Sequence, residues 1–334
     1  MAAPTPTPGL TPSDVHVNVP LTQISVAYRQ DNTQYIAARA FPIVPVQKQS
    51  DRYYEYDRDY WFRTEADKRR PASESAGSEY TVQNTSTYNA EIYSVHVMVP
   101  DDVRVNADSV LSPDRDATMN VTDQMLLKRE QIWASKFMTT GLWTGNNGSD
   151  MTGVGSAPGA NQFVEWNVSG SQPIEDIQAQ ILNIAQLTAR KPNKLILGPQ
   201  VANALRNNPE IIDRVKYTER AFLDFSILAP AFGVDEVLVP FVVQNTAAEG
   251  AARSMSYLYG KQALLLFAPS TPGLLTPSAG YTFSWQGYLN GTADVAVYRF
   301  RMQERKADRV EGEMAFDMKL IGSDLGVFFT SAIQ

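Results

Sequence analysis

Residues 192–217 read PNKLILGPQVANALRNNPEIIDRVKY, and the organisation of the chain can be worked outward from them. Lys194 to Leu197 is a short apolar run between Pro192 and Gly198, the mark of a strand buried on both faces. Gly198-Pro199 opens a helix through Leu205, since proline is favoured at the first helical position, and Pro209 restarts it as EIIDRVKY. Upstream, Ile174, Ile177, Ile181 and Ile184 step by three and four, which lays one apolar stripe along a helix. Glu175 and Asp176 stand in its first turn and Arg190 and Lys191 at its end, matching the helix dipole, and Pro192 stops it. Helix, strand and helix in this order form one α/β layer.

Downstream the period changes to two. Val237, Val239, Phe241 and Val243 alternate; Tyr257 to Ala268 is a continuous apolar run; Tyr281, Phe283 and Trp285 alternate again. Val295, Val297 and Arg299 share one face of a further strand. Gln303 to Glu313 reads as a charged turn and Met314 to Ile321 as the return strand of a hairpin. Val327, Phe328 and Phe329 close the chain against the core.

Upstream the charge density rises sharply. From Lys48 to Tyr80, 15 of 33 residues are charged, against 5 of 56 from Asn245 to Phe300. The first stretch must be solvated or paired with charge elsewhere; the second is packed, or covered by another chain. Tyr54, Tyr56, Tyr60 and Phe62 fall on even positions, one face of an extended strand. Tyr80 to Pro100 is extended again, so two long strands around a polar tip make a hairpin arm. A two-stranded ribbon this polar cannot hold itself together in water and must lie on something else, a neighbour or its own domain.

Ser112 then caps a helix with Pro113 first inside it and Asp114 and Asp116 in its first turn. Val121, Met125, Ile132 and Leu126, Trp133, Phe137 form its apolar rows, and no breaker appears before Gly141. To Thr139 it would span about 40 Å. Lys128, Arg129 and Lys136 are expected on its solvated face. Gly145 to Gly159 is read as a mobile connection without a phosphate-binding pattern. The first thirteen residues, MAAPTPTPGLTPS, form a Pro-rich extended arm that should be disordered alone, and a neighbouring subunit is the simplest thing to hold it.

Composition removes whole classes of function. The 334 residues contain no cysteine, which excludes disulfide scaffolds, zinc ribbons, thiol catalysis and iron–sulfur clusters. His16 and His96 are the only histidines. Twenty-nine basic against 36 acidic residues give −7, whereas a dedicated nucleic-acid binder is usually basic. No apolar run reaches the roughly 18 residues of a membrane span, and no basic start of a signal peptide precedes Asp14. No G-x-S-x-G, H-E-x-x-H or EF-hand loop occurs. The pairs Asp57/Asp59 and Asp101/Asp102 fall on the exposed ribbon and in a turn after Pro100, away from any cleft that acid–base work would need. No catalytic residue, cofactor or metal is expected. Arm, ribbon and long helix instead offer surface that only a partner could cover.

The order of these parts resembles the major capsid proteins of tailed bacteriophages. Pro192, Leu195, Ile196, Leu197, Gly198, Leu205, Pro209 and Ile211 fill that family's run of proline, hydrophobic strand, glycine, short helix and second proline. Tyr298 to Ile321 is similar to its peripheral hairpin. The resemblance covers about residues 20–334 and implies an α+β chain of the Hong Kong phage-type capsid fold. It implies an N-terminal arm over 1–38, an extended β-hairpin loop with flanks over 39–112, and a peripheral domain with its spine helix over 113–172. An axial domain over 173–290 and a return hairpin with C-terminal segment over 291–334 complete it.

The function it implies is a virion shell of hexamers and pentamers around packaged double-stranded DNA, assembled in the cytoplasm of a bacterial host. Subunit contacts are expected at Tyr54, Tyr56, Trp61, Arg63, Lys68, Arg69 and Arg70 of the loop. Some members crosslink a lysine of this loop to a neighbour's asparagine with the help of a glutamate. No such pair can be set beside Lys68, so Lys68, Arg69 and Arg70 are read as ion-pairing with a neighbouring subunit. Copies of the chain are the main partner; a separate scaffolding protein, a portal and a decoration protein complete the set, with DNA bound only weakly and no membrane. An encapsulin-like compartment and an α+β enzyme with a ribbon lid are the competing readings.

Overall fold

The computed structural model describes residues 29–56, 61–107, 111–215, 225, 228–273, 275–292 and 294–334. The Pro-rich arm up to residue 28 with His16, the Asp57/Asp59 pair and Tyr60 lie outside them. After a short helix α1 (Ala37–Ala40), β1 (Ile43–Val46) leads to the ribbon strands β2 (Ser50–Arg52), β3 (Glu55–Tyr56), β4 (Val82–Gln83) and β5 (Thr87–Asn89). Then come β6 (Glu91–Pro100), α2 (Asp101–Asn106), the long helix α3 (Pro113–Phe137), β7 (Met151–Val154) and β8 (Gln162–Val164). Helix α4 (Pro173–Thr188), β9 (Lys194–Leu197), α5 (Pro199–Arg206), α6 (Pro209–Val215) and α7 (Leu228–Phe232) follow. The remainder is β10 (Glu236–Leu238), β11 (Val243–Asn245), β12 (Met255–Tyr257), β13 (Ala263–Leu266), β14 (Gly280–Trp285), β15 (Ala296–Met302), β16 (Ala307–Leu320) and β17 (Gly326–Thr330).

The Pro192 to Ile211 segment supplies β9, the strand between β10 and β13 in a six-stranded sheet ordered β10-β9-β13-β17-β7-β8. Leu195, Ile196 and Leu197 are fully buried, as a strand covered on both faces requires. Gly198 is needed for a steric reason: a Cβ there would lie 1.8 Å from the carbonyl oxygen of Gly260. Pro199 and Pro209 begin α5 and α6, and Val201, Ala202, Leu205 and Ile211 turn inward. All four isoleucines of α4 are buried, and the helix ends at Ala189, whose φ of 53° is left-handed.

Helix α4 meets the turn after β8 through Trp166, whose indole Nε1 donates to Asp176 (3.1 Å). Burial, with Glu210 and Glu175 nearby, pushes the Asp176 carboxyl up to about 6. The folded state therefore holds this proton more tightly than the unfolded one. The contribution of Asp176 to stability is fully present below about pH 4 and falls as pH rises to about 6. Asp176→Asn keeps an acceptor for Trp166 without the titration. It should raise Tm relative to wild type more at pH 7.5 than at pH 4; an equal difference at both would contradict this.

The second sheet has β16 at its middle: β6 and β15 flank its first part, and β14, itself paired to β1, flanks its end. Helix α3 lies across it, 25 residues and about 38 Å long. The approach is so close that a Cβ on Gly312 of β16 would sit 2.3 Å from Cγ1 of Val121. Trp133 and Phe137 of α3 join Met314, Phe316 and Met318 of this sheet and Ile196, Leu264 and Phe328 of the other in one core. Strand pairing crosses the expected boundaries at 172 and 290, because β7, β8 and β17 pair in the six-stranded sheet and β14 in the other.

Several expectations are corrected. Pro240 splits the alternating run 237–243, so Val237 belongs to β10 and Val243 to β11 in a separate two-stranded sheet. The run 257–268 is likewise divided between β12 and β13 around Gly260. The Gly-rich connection 145–159 contains β7, parallel to β17. The charged turn at 303–313 is in fact a turn only to Lys306; from Ala307 it is strand β16. Asp101 and Asp102 open helix α2. Ser112 makes no side-chain cap bond. Arg129 is buried and paired with Asp294, leaving Lys128 and Lys136 exposed on α3. His96 is exposed on β6.

A buried carboxylate that the sequence reading passed over fixes the start of the described chain. Glu130 of α3 accepts the backbone N–H groups of Ile36 (3.0 Å) and Ala37 (2.9 Å) and the hydroxyl of Tyr259. Arg29 adds two bonds to Asp123 (2.6 and 2.8 Å), and the Gln30 amide both donates to and accepts from the backbone of Val243. Residues 29–40 are thus stapled by side chains to α3 on one side and to β11 on the other.

Candidate assembly surfaces

The ribbon is anchored at its root and bare at its tip. At the root, β2 pairs antiparallel with β5, and Tyr88 stacks on Phe283 of β14 (4.6 Å between centroids), with Tyr53 stacked on the same ring (5.4 Å). The N–H of Asn89 donates to Asp317 (3.0 Å). Between Arg52↔Thr87 and Glu55↔Gln83 the register slips by one residue, a bulge that adds local twist. Pairing ends at Tyr56↔Val82. The two long strands expected are therefore two short ladders. The even-position aromatic face does not continue to Phe62, because Trp61 is helical.

Of the expected contact residues, the structure brings Tyr56 and Trp61 together with a third ring, Tyr80, at centroid distances of 6.3–6.4 Å. Trp61 is 59% and Tyr80 65% exposed, so most of this cluster meets solvent. Tyr54 is 70% exposed and stands apart. Arg63, Lys68, Arg69 and Arg70 are exposed; Arg69 donates to the carbonyl of Ser73 (2.7 Å), closing a small turn. Among the described residues none of these four pairs with a carboxylate. Exposed apolar area of this kind marks an interaction surface. Tyr80 could have been found from sequence, since it and Tyr56 are equidistant from Lys68 at the tip.

A second polar cluster, not anticipated, closes the end of the β16 sheet. Arg104 of α2 bridges Asp114 of α3 and Asp308 of β16, both at 2.8 Å. Arg301 joins Asp308 (3.2 Å) to Asp101 (2.6 Å), and Arg299 also binds Asp308. Arg299 first, with Arg301 and Arg104, holds the Asp308 carboxyl down to about 2; Arg301 keeps Asp101 low as well. Asp308 was hidden in the supposed charged turn. Such a network of fixed charges ties helix starts to a sheet edge; it has no free acid or base for proton transfer.

A long helix laid over one sheet, a six-stranded sheet sharing its core and an outreaching ribbon are the parts of the Hong Kong phage-type capsid fold. No family model matches the chain. It is similar to the major capsid protein of Burkholderia phage BcepMu, 21% identical over 313 residues, 92% of this chain and 93% of the relative. The major capsid protein of Pseudomonas phage JBD67 is 23% identical over 315 residues, 94% and 96% of the two chains. Among solved structures, a phage-related protein from Bordetella bronchiseptica superposes with a TM-score of 0.65 at 20% identity, covering 91% of this chain and 93% of that one. The capsid of cyanophage P-SCSP1u gives 0.58 at 12% identity, covering 98% and 99%. An encapsulin complex from Synechococcus elongatus gives 0.53 at 11% identity, covering 94% and 95%. The chain resembles tailed-phage major capsid proteins over nearly its whole length, and its fold is theirs.

Proposed function

We propose that the chain is a major capsid protein that self-assembles through hexamers and pentamers into an icosahedral shell enclosing packaged double-stranded DNA. The observation that carries this reading is the ribbon: its root is stacked on the body, yet the aromatic and cationic side chains of its tip are exposed among the described residues. In this reading the tip, with Tyr54, Tyr56, Trp61, Arg63, Lys68, Arg69 and Arg70, lies on a neighbouring subunit. Residues 1–38 are an arm, 39–112 the extended loop, 113–172 with 291–334 the peripheral domain, and 173–290 the axial domain around the five- and six-fold axes. The role is structural rather than catalytic. A net charge of −7 suits a wall that must not bind DNA tightly. A separate scaffolding protein, a portal and a decoration protein are candidates for further partners, and the assembled particle is a virion formed in bacterial cytoplasm.

The encapsulin likeness supports a second reading, a compartment around cargo protein. Negative-stain microscopy of the purified chain tests the first claim, with closed particles expected and a persistent monomer contradicting it. Extraction of particles from infected cells separates the two readings: DNA supports the virion, and cargo protein without DNA supports the compartment.

A further inference from the structure

Helix α3 buries an arginine whose bonds are only half accounted for. Arg129 keeps 6% of its surface exposed. Its Nη1 donates to Asp294, in the turn before β15. Its Nε is buried and meets no acceptor among the described residues. An N–H of a cation kept from water without an acceptor is costly, so buried polar atoms are normally all served.

Beside this side chain lies a cavity of about 10 Å³ whose lining includes Arg129 and Asp294, Thr282 and Ser284 of β14, and Met314 and Phe316 of β16. That is the space a single water centre occupies, and it is too small for an organic ligand or a hydrated ion. The two hydroxyl residues are almost fully buried and stand on the α3 side of their strand. The register sets Thr282 opposite Met318 and Ser284 opposite Phe316, both core residues under the helix, and residues directly opposite share a face. Thr282 spends its one hydroxyl proton on the carbonyl oxygen of Phe41 (3.3 Å). What it has left to offer the cavity is acceptor lone pairs, whereas the guanidinium offers only donors.

We infer that this cavity is the site of one structural water, held by Arg129 Nε, Thr282 Oγ1 and Ser284 Oγ. The water accepts from Nε–H and donates one proton to each hydroxyl oxygen, three bonds in all, the usual number for a buried water. One arginine thereby ties α3 to the sheet at two places, directly to Asp294 ahead of β15 and through the water to β14. The site belongs to the single chain and is independent of the capsid reading.

A crystal structure of the full-length chain that resolves ordered solvent tests this. A density peak is expected within hydrogen-bond distance of Arg129 Nε and of both hydroxyl oxygens. No peak there, or a protein oxygen bonded to Nε in its place, overturns the inference. Solution NMR gives an independent readout. In the full-length chain with isotope-labelled arginine, the Nε–H of Arg129 should show a rotating-frame Overhauser cross-peak to long-lived water. In Ser284→Val, which removes one acceptor and fills the cavity with methyl groups, that cross-peak should be lost while those of exposed arginines stay. No cross-peak in wild type, or an unchanged one in Ser284→Val, overturns it as well.

Discussion

A chain in which residues 57–81 are replaced by an Asn-Gly turn is expected to fold normally and to form no closed shells. The cut follows the last ladder pair, Tyr56↔Val82, and Asn-Gly suits a two-residue hairpin. The root contacts survive, because Tyr53 and Tyr88 stack on Phe283 and Asn89 binds Asp317 outside the deleted stretch. No buried core residue is lost among the described residues, so Tm and far-UV circular dichroism should stay close to wild type. What goes is Trp61, Tyr80 and the cations at 63 and 68–70, surface that none of the other described residues covers. Exposed tips carrying aromatic rings and arginine are the residue types that dominate interfaces. Negative-stain microscopy should show open or small oligomers only. Normal shells from the shortened chain would mean that the ribbon tip is not an assembly contact.

Much of this fold could be read from the chain, and the part that could not shares one physical cause. Local signals did well. The Pro192 to Ile211 segment, the isoleucine stripe of α4 and the Pro113 start of the long helix depend on neighbours three or four residues away, and all stand as expected. Long-range pairing did not show in the pattern. Residues 151–154 of the Gly-rich connection become a strand only because β17, more than 170 residues later, offers an edge. The charged stretch 307–313 becomes a central strand because Arg104, Arg299 and Arg301 neutralise Asp308 and Arg309 pairs with Glu311. Arg129 and Glu130 follow the same rule: charge normally marks a solvated face, and only the distant partners Asp294, Ile36, Ala37 and Tyr259 permit burial. On the ribbon the described tip residues are exposed, and the bulge that breaks its strand pattern leaves no mark in the alternation of aromatics.

Trp133→Ala should lower the stability of the dissociated chain by about 3–5 kcal/mol, the cost of emptying a large buried aromatic site. The position is fully buried at the point where α3 meets both sheets. Its ring is edge-on to Phe41 (5.7 Å) and tilted against Phe137 (5.9 Å) and Tyr259 (6.1 Å), contacts worth something beyond area alone. The cavity cannot close easily, because Phe41 is also fixed against Phe137 at 4.5 Å and Tyr259 is held by Glu130. One feature works the other way. The indole Nε1 is buried without a hydrogen-bond partner, and such a donor costs roughly 1–3 kcal/mol to keep from water. Trp133→Phe removes that donor and keeps most of the ring, so it should lose less than half of what alanine loses. Urea unfolding of the two variants at one pH measures both numbers. Equal losses would show that the unpaired indole carries no cost, and no loss in alanine would place residue 133 outside the core.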